Sequence, residues 1–114
     1  MDTMTARKRL EETRDELDRS IMVLQVDQPL EERAEFPDPA DAGSNLSEIE
    51  RTEAVIDVAK QQLAEVLDAL HRISEGSYGT CADCGKPIPE GRLDAKPEAA
   101  RCVACQARRD RQRR

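Results

Sequence analysis

Apolar positions recur at alternating steps of three and four through the middle of the chain: Ile49, Thr52, Ile56, Ala59, Leu63, Val66, Leu70 and Ile73. That rhythm is a heptad seam, one stripe of an amphipathic helix. Glu50, Arg51, Glu53, Asp57, Lys60, Gln61, Glu65 and Asp68 fill the other positions and keep them wet. The pattern predicts a helix over 46–75, ~45 Å long at 1.5 Å per residue. Asn45 with Glu48, or Ser47 with Glu50, supplies a capping box at its start. Gly76 supplies its stop. Upstream, Leu10, Leu17 and Leu24 step by heptads and Ile21 joins them. This predicts a second helix over 5–28, which Pro29 ends or kinks. Val23 and Val26 fall off its main stripe.

Between the stripes lies Phe36-Pro37-Asp38-Pro39-Ala40-Asp41-Ala42-Gly43-Ser44, rich in helix breakers. Two stripes joined by a short break predict an antiparallel helical hairpin, because neither helix can bury its seam alone. A parallel dimer through the second helix is the rival arrangement. The expected organisation is a hairpin over 1–75 with its tip at 36–45, then a separate module over 76–114.

That module contains two identical steps, Cys81-Ala-Asp-Cys84 and Cys102-Val-Ala-Cys105, separated by Gly85 to Arg101. Paired C-x-x-C knuckles at this distance are the ligand spacing of a four-thiolate zinc site. Four thiolates close a tetrahedral shell, so one zinc ion here is structural and leaves no position for substrate. Thiol–disulfide exchange would call for one such motif in a βαβ context, which is not the pattern here. A disulfide framework would call for a secretory context, and the first ten residues carry no apolar run. His71, the only histidine, reads as a solvated helix residue. Tyr78, Ile88 and Leu93 are expected to form a small core beside the metal. The stretch 86–93 reads as a short proline-punctuated hairpin, and Val103 to Gln112 as a final helix opened by the second knuckle, in the manner of treble-clef fingers.

Composition narrows the class further. One Phe, one Tyr and no Trp, with 37% charged residues, cannot build a large globular core. An extended coiled coil beside a metal-stapled module fits. No apolar run reaches membrane-spanning length, and reduced cysteines suit a soluble cytoplasmic protein. Residues 1–80 carry 9 Lys/Arg against 19 Asp/Glu; residues 81–114 carry 9 against 5. The acidic arm is unsuited to wrapping nucleic acid. The basic tail Arg108-Arg109-Asp110-Arg111-Gln112-Arg113-Arg114 suits the negative end of a helix dipole. Its sharper reading is a contact to RNA, DNA or an acidic protein surface.

Three stretches give the chain a family resemblance. They are Tyr78-Gly79-Thr80-Cys81-Ala82-Asp83-Cys84-Gly85, Arg92-Leu93-Asp94-Ala95-Lys96-Pro97 leading to Cys102-Val103-Ala104-Cys105, and the tip Phe36-Pro37-Asp38-Pro39-Ala40-Asp41. Together they resemble the DksA/TraR family of bacterial RNA polymerase-binding regulators, over about residues 36–108. The resemblance implies a long antiparallel coiled coil standing on a zinc finger. It implies insertion of that coil into the secondary channel of RNA polymerase, where the tip modulates initiation, with no sequence-specific DNA binding. It places Asp38 and Asp41 at both acids of the family's Asp-x-x-Asp-x-Ala tip motif. Gly43 stands where the motif has alanine, and the missing methyl lowers helix propensity there. Without the resemblance, both aspartates read as ordinary turn chemistry.

Family members often act with guanosine tetraphosphate, held by basic residues of the second helix and the finger. Here Glu65 and Gln106 occupy two of those places and only Lys96 is basic. A polyanion needs several cations, so alarmone binding is expected to be weak or absent. The expected function is therefore that of a monomeric, non-enzymatic transcription regulator acting on RNA polymerase. The alternatives are a zinc-finger adaptor that binds another protein or RNA through the finger and basic tail, and a zinc- or redox-responsive switch.

Overall fold

A computed structural model describes residues 2–26 and 39–112, and of 39–46 the backbone only. It is mostly helical: α1 Thr3–Val26, α2 Pro39–Glu75, α3 Glu90–Ala95 and α4 Val103–Gln112. Asp2 begins α1, its carboxylate 3.5 Å from the Met4 amide and its carbonyl accepting from Ala6 at 2.9 Å. A side-chain oxygen on an otherwise orphaned amide is how an N-cap works.

The chain divides into two compact units, Met1–Arg14 with Ala64–Arg114, and Asp15–Leu63. The beginning of α1 thus shares a unit with the end of α2, and the two helices form an antiparallel hairpin. In the first unit Ala6 and Leu10 on α1, and Val66, Ala69 and Ile73 on α2, are buried. In the second, Ile21 and Ile56 are buried and Leu17, Leu24, Ile49, Thr52, Ala59 and Leu63 half-buried. Every position of the α2 heptad seam is therefore wholly or partly out of water. Val23 and Val26 are exposed, as their place off the stripe predicts.

One boundary differs from expectation. α2 begins at Pro39 rather than 46, so residues 39–45 are helical and the capping boxes at Asn45 and Ser47 are interior positions. Pro39 at the first helical position loses nothing by lacking an N–H, since that group has no intrahelical partner there. The single Gly43 costs only about 1 kcal/mol in a helix of 37 residues. α1 runs to Val26, and the rest of its expected span, to 28, lies outside the described residues. The far end of α2 matches: Gly76 has φ of +80°, its amide reaches the Ile73 carbonyl, and Ser77 N donates to Arg72 O at 2.9 Å. This pair of bonds is a Schellman stop.

In the module after α2, the hairpin wraps the first knuckle instead of following it. Ile88 N donates to Gly79 O at 2.7 Å and Cys81 N to Lys86 O at 2.8 Å, with an isolated bridge between Thr80 and Pro87. Residues 90–93, expected to belong to the hairpin over 86–93, lie instead in α3. Pro89 sits at its N-cap without a side-chain cap bond, and Glu90 in the first turn suits the positive end of the helix dipole. Six residues are too few to show a helical period in sequence. α4 spans the expected residues. Cys81, Ile88, Leu93, Ala99 and Cys105 form one buried cluster, with Tyr78 and Cys102 packed against it. Among the described residues no helix is long and apolar enough to cross a membrane.

Candidate metal centre

Each knuckle gathers two sulfurs by the same device, a backbone amide folded back over a turn. Gly85 N donates to Cys81 O at 3.0 Å, and Gln106 N to Cys102 O at 2.9 Å. Gly85 takes φ of +74°, a conformation that only glycine enters without strain. The second turn leads straight into α4 instead. Ala82 N donates to Ala100 O at 2.8 Å, tying the knuckles together. Outside them, Arg101 Nε meets Asp83 Oδ2 at 3.0 Å, and Arg92 Nε donates to Arg101 O at 2.7 Å.

The result brings the Sγ atoms of Cys81, Cys84, Cys102 and Cys105 within 4.8 Å of one another, with Cys84 and Cys102 at 4.0 Å. Zinc–sulfur bonds of about 2.3 Å in a tetrahedron require sulfur separations of about 3.8 Å. The four side chains therefore stand at nearly the distances one zinc ion demands. Their acidity makes the same point. Backbone hydrogen bonds from Cys84 and Cys102 hold the Cys81 thiol down at about 6. Hydrogen bonding to Cys102, helped by burial, pushes Cys105 up to about 12. Sulfurs this close cannot all ionise without a cation among them, and a divalent ion supplies it. Cys81 and Cys105 are buried, Cys102 half-buried and Cys84 exposed. The four-cysteine cluster is that of a C4 zinc finger holding one zinc.

Tyr78 joins the finger to its surroundings through a hydroxyl bond to Pro97 O at 2.9 Å. A cavity of about 220 Å³ lies in the same unit, lined by Glu65, Asp68, Arg92, Lys96, Glu98 and Gln106 among others. Glu65, Lys96 and Gln106 thus meet in one place, as the resemblance implies. Lys96 Nζ lies 3.4 Å from Glu65 Oε2, so the cavity's lysine is already paired. Asp68, Arg92 and Glu98 were not anticipated. Arg92 belongs to a stretch singled out in the sequence, but nothing there signals that its guanidinium faces a cavity. Asp83 is a further unanticipated residue, taking Arg101 at 3.0 Å and Arg109 at 4.0 Å. Of the tip pair, Asp38 lies outside the described residues. Asp41 falls in the first turn of α2, where the backbone alone is described.

Comparison with known proteins agrees with this geometry. Residues 76–111 match the family model described as prokaryotic dksA/traR C4-type zinc finger. The chain is 30% identical over 92 residues to the RNA polymerase-binding transcription factor DksA of Escherichia coli and of Salmonella typhimurium. That match covers 81% of this chain and 58% of the relatives, so the chain spans little more than half their length. The protein of the same name from Caulobacter vibrioides is 38% identical over 58 residues, 51% of this chain and 41% of its own. Among solved structures, transcription factor DksA2 from Pseudomonas aeruginosa superposes with a TM-score of 0.79 at 25% identity, covering 97% of this chain and 84% of that one. The DnaK suppressor protein from Agrobacterium tumefaciens superposes with a TM-score of 0.63 at 29% identity, covering 94% and 93%.

Proposed function

Because the chain belongs to the DksA/TraR family of C4-type zinc-finger proteins, we propose that it is a bacterial transcription regulator that binds RNA polymerase. The observation carrying this reading is a likeness that spans both parts of the molecule. The identity to RNA polymerase-binding relatives reaches well beyond the finger, and the superposition on DksA2 takes in nearly the whole chain. A shared zinc finger alone would support only a shared fold element.

In this reading the 1–75 hairpin enters the secondary channel of the polymerase and the 76–114 module holds the rim. Asp38 and Asp41 are the working end. Carboxylates brought near the polymerase active centre act by charge, competing for metal–phosphate contacts or biasing a mobile element. The zinc takes no part in chemistry, since four thiolates leave it no open position. It fixes the knuckles, and with them the core of Ile88 and Leu93. The regulator acts as a monomer in the cytoplasm, where the polymerase is.

Lys96 paired to Glu65, and Gln106 with no charge, argue that guanosine tetraphosphate is not a strong ligand of the finger cavity.

The test is transcription in vitro with bacterial RNA polymerase on a promoter forming short-lived complexes. Wild type is compared with the Asp38→Asn/Asp41→Asn double variant. An effect that the variant loses while still binding polymerase supports the acidic tip as effector. Absence of both binding and effect in wild type refutes the proposal.

A further inference from the structure

The charges of α4 are sorted by side. At 100° per residue, Ala104, Arg108 and Arg111 project along one flank of the helix. Asp110 and Gln106 lie on the opposite flank, where Gln106 Nε2 donates to Asp110 Oδ1 at 2.9 Å. Cys105 faces the buried cluster, and Arg109 on that side lies 4.0 Å from Asp83. Arg108, Arg109 and Arg111 are all exposed. Arg108 and Arg111 have no ion-pair or hydrogen-bond partner among the described residues. The helix's one carboxylate thus does not neutralise its cationic flank. Arg113 and Arg114 follow in sequence.

We propose that the cationic flank of α4, built on Arg108 and Arg111 with Arg109 beside them, binds the phosphodiester backbone of nucleic acid without reading its sequence. Two features favour phosphate over a protein surface. Hot spots of protein interfaces cluster in well-packed, desolvated pockets around aromatic and arginine anchors. The flank carries no aromatic or large apolar side chain: its apolar residues are Ala104 and Ala107, and the exposed Val103 lies on the other side. Backbone binding needs only spaced cations, each releasing a condensed counterion. Arginines at i and i+3 have Cβ atoms about 5–6 Å apart, close enough for adjacent phosphates. The planar guanidinium also pairs with phosphate oxygens bidentately. Ala104 keeps the flank low beside them.

The acidity of the whole chain does not prevent this. At physiological salt, charges more than about 8 Å apart are largely screened. The local balance then decides, and residues 81–114 carry 9 basic against 5 acidic side chains. The zinc-bound thiolates lie on the buried side of α4, which Cys105 faces. This surface is independent of the tip.

The experiment uses the full zinc-loaded chain and fluorescence anisotropy at several salt concentrations. The probes are a labelled duplex DNA and a single-stranded RNA of equal length and unrelated sequence. Binding is expected to weaken with salt. An Arg108→Gln/Arg109→Gln/Arg111→Gln variant is expected to bind at least about tenfold more weakly at low salt and to flatten the log–log slope by about 2–3. A control variant, Arg19→Gln/Arg51→Gln/Lys60→Gln, removes the same charge from the arm and is expected to bind as wild type. Zinc content and circular dichroism verify that both variants fold. Preference for duplex or for single strand identifies the source of the phosphates. Equal loss in the control, no binding by wild type, or displacement of the probe by polyaspartate as readily as by unlabelled nucleic acid overturns the proposal.

Discussion

Glu65 on α2 holds Lys96 of the finger at 3.4 Å, and both side chains line one cavity. Both side chains are about half exposed, so the pair contributes little to stability. Its consequence is electrostatic: the cavity's lysine meets an incoming anion already neutralised. Guanosine tetraphosphate is therefore expected to bind the wild type weakly or not at all in isothermal titration. Glu65→Lys with Gln106→Lys adds two cations and removes a competitor, and is expected to create measurable binding. Strong binding by wild type would defeat this account of the cavity.

Zinc uptake is expected to release fewer than four protons at neutral pH. Cys81, held at about 6, is already largely thiolate, whereas Cys105, held at about 12, gives up its proton only to the metal. Across pH 6 the proton count is expected to rise by about one as the medium is made more acidic. The linked stability of the metal-free finger has a defined sign. The depressed Cys81 contributes stability that is lost as pH falls from about 9 towards 6. The raised Cys105 contributes stability lost as pH rises from about 9 towards 12. A zinc titration with a pH indicator, read with and without chelator, measures the count. Four protons at pH 7.5 would contradict the arrangement.

Replacing one ligand tests the same centre without titration. Cys102→Ser leaves three thiolates, and structural zinc contributes folding energy directly. The finger is expected to lose its metal and its cooperative melting, while Leu10 and Val66 still bury the helical seam. A zinc content and melting curve equal to wild type would remove the metal from the structural argument.

The seam and the cysteines were legible because both are periodic. The rhythm of Ile56, Leu63, Val66, Leu70 and Ile73 survives any uncertainty about the ends of α2, and the two knuckles repeat one spacing. What escaped is what has no period. α3 is shorter than two helical turns, so Glu90 in its first turn is its only sequence signal. Pro39 was counted as a breaker although the same residue begins helices well. The cavity pairs residues from three distant stretches, Glu65, Lys96 and Gln106. Only the family resemblance brought them together in advance, and nothing in the sequence showed that Asp68 and Glu98 would join them.

Tyr78 offers a clean optical probe, since the chain has one tyrosine and no tryptophan. Burial raises its hydroxyl above the ordinary value of 10, against the opposing pull of Arg72 and Arg9. Absorbance at the tyrosinate band is expected to rise only above that pH. A raised folded value means that the stability it contributes is lost as pH climbs past 10. Tyr78→Phe removes the bond to Pro97 O and is expected to cost about 1 kcal/mol in denaturant unfolding. Titration at or below 10 would show the hydroxyl to be solvated.

Gly43 links the helical start of α2 to function. The backbone is helical from Pro39 onward, so Gly43 is an interior residue of the helix rather than part of a turn. An interior glycine costs about 1 kcal/mol relative to alanine, because it loses more backbone freedom on ordering. Gly43→Ala is therefore expected to raise helicity modestly and to protect the amides of residues 43–47 in hydrogen exchange. If a firmly helical start presents Asp38 and Asp41 to the polymerase, the same change strengthens the effect on promoter complexes at unchanged polymerase affinity. Greater protection with no change in transcription would separate the order of this segment from the activity of the tip. A loss of protection would mean that glycine is required there for a conformation that alanine cannot adopt.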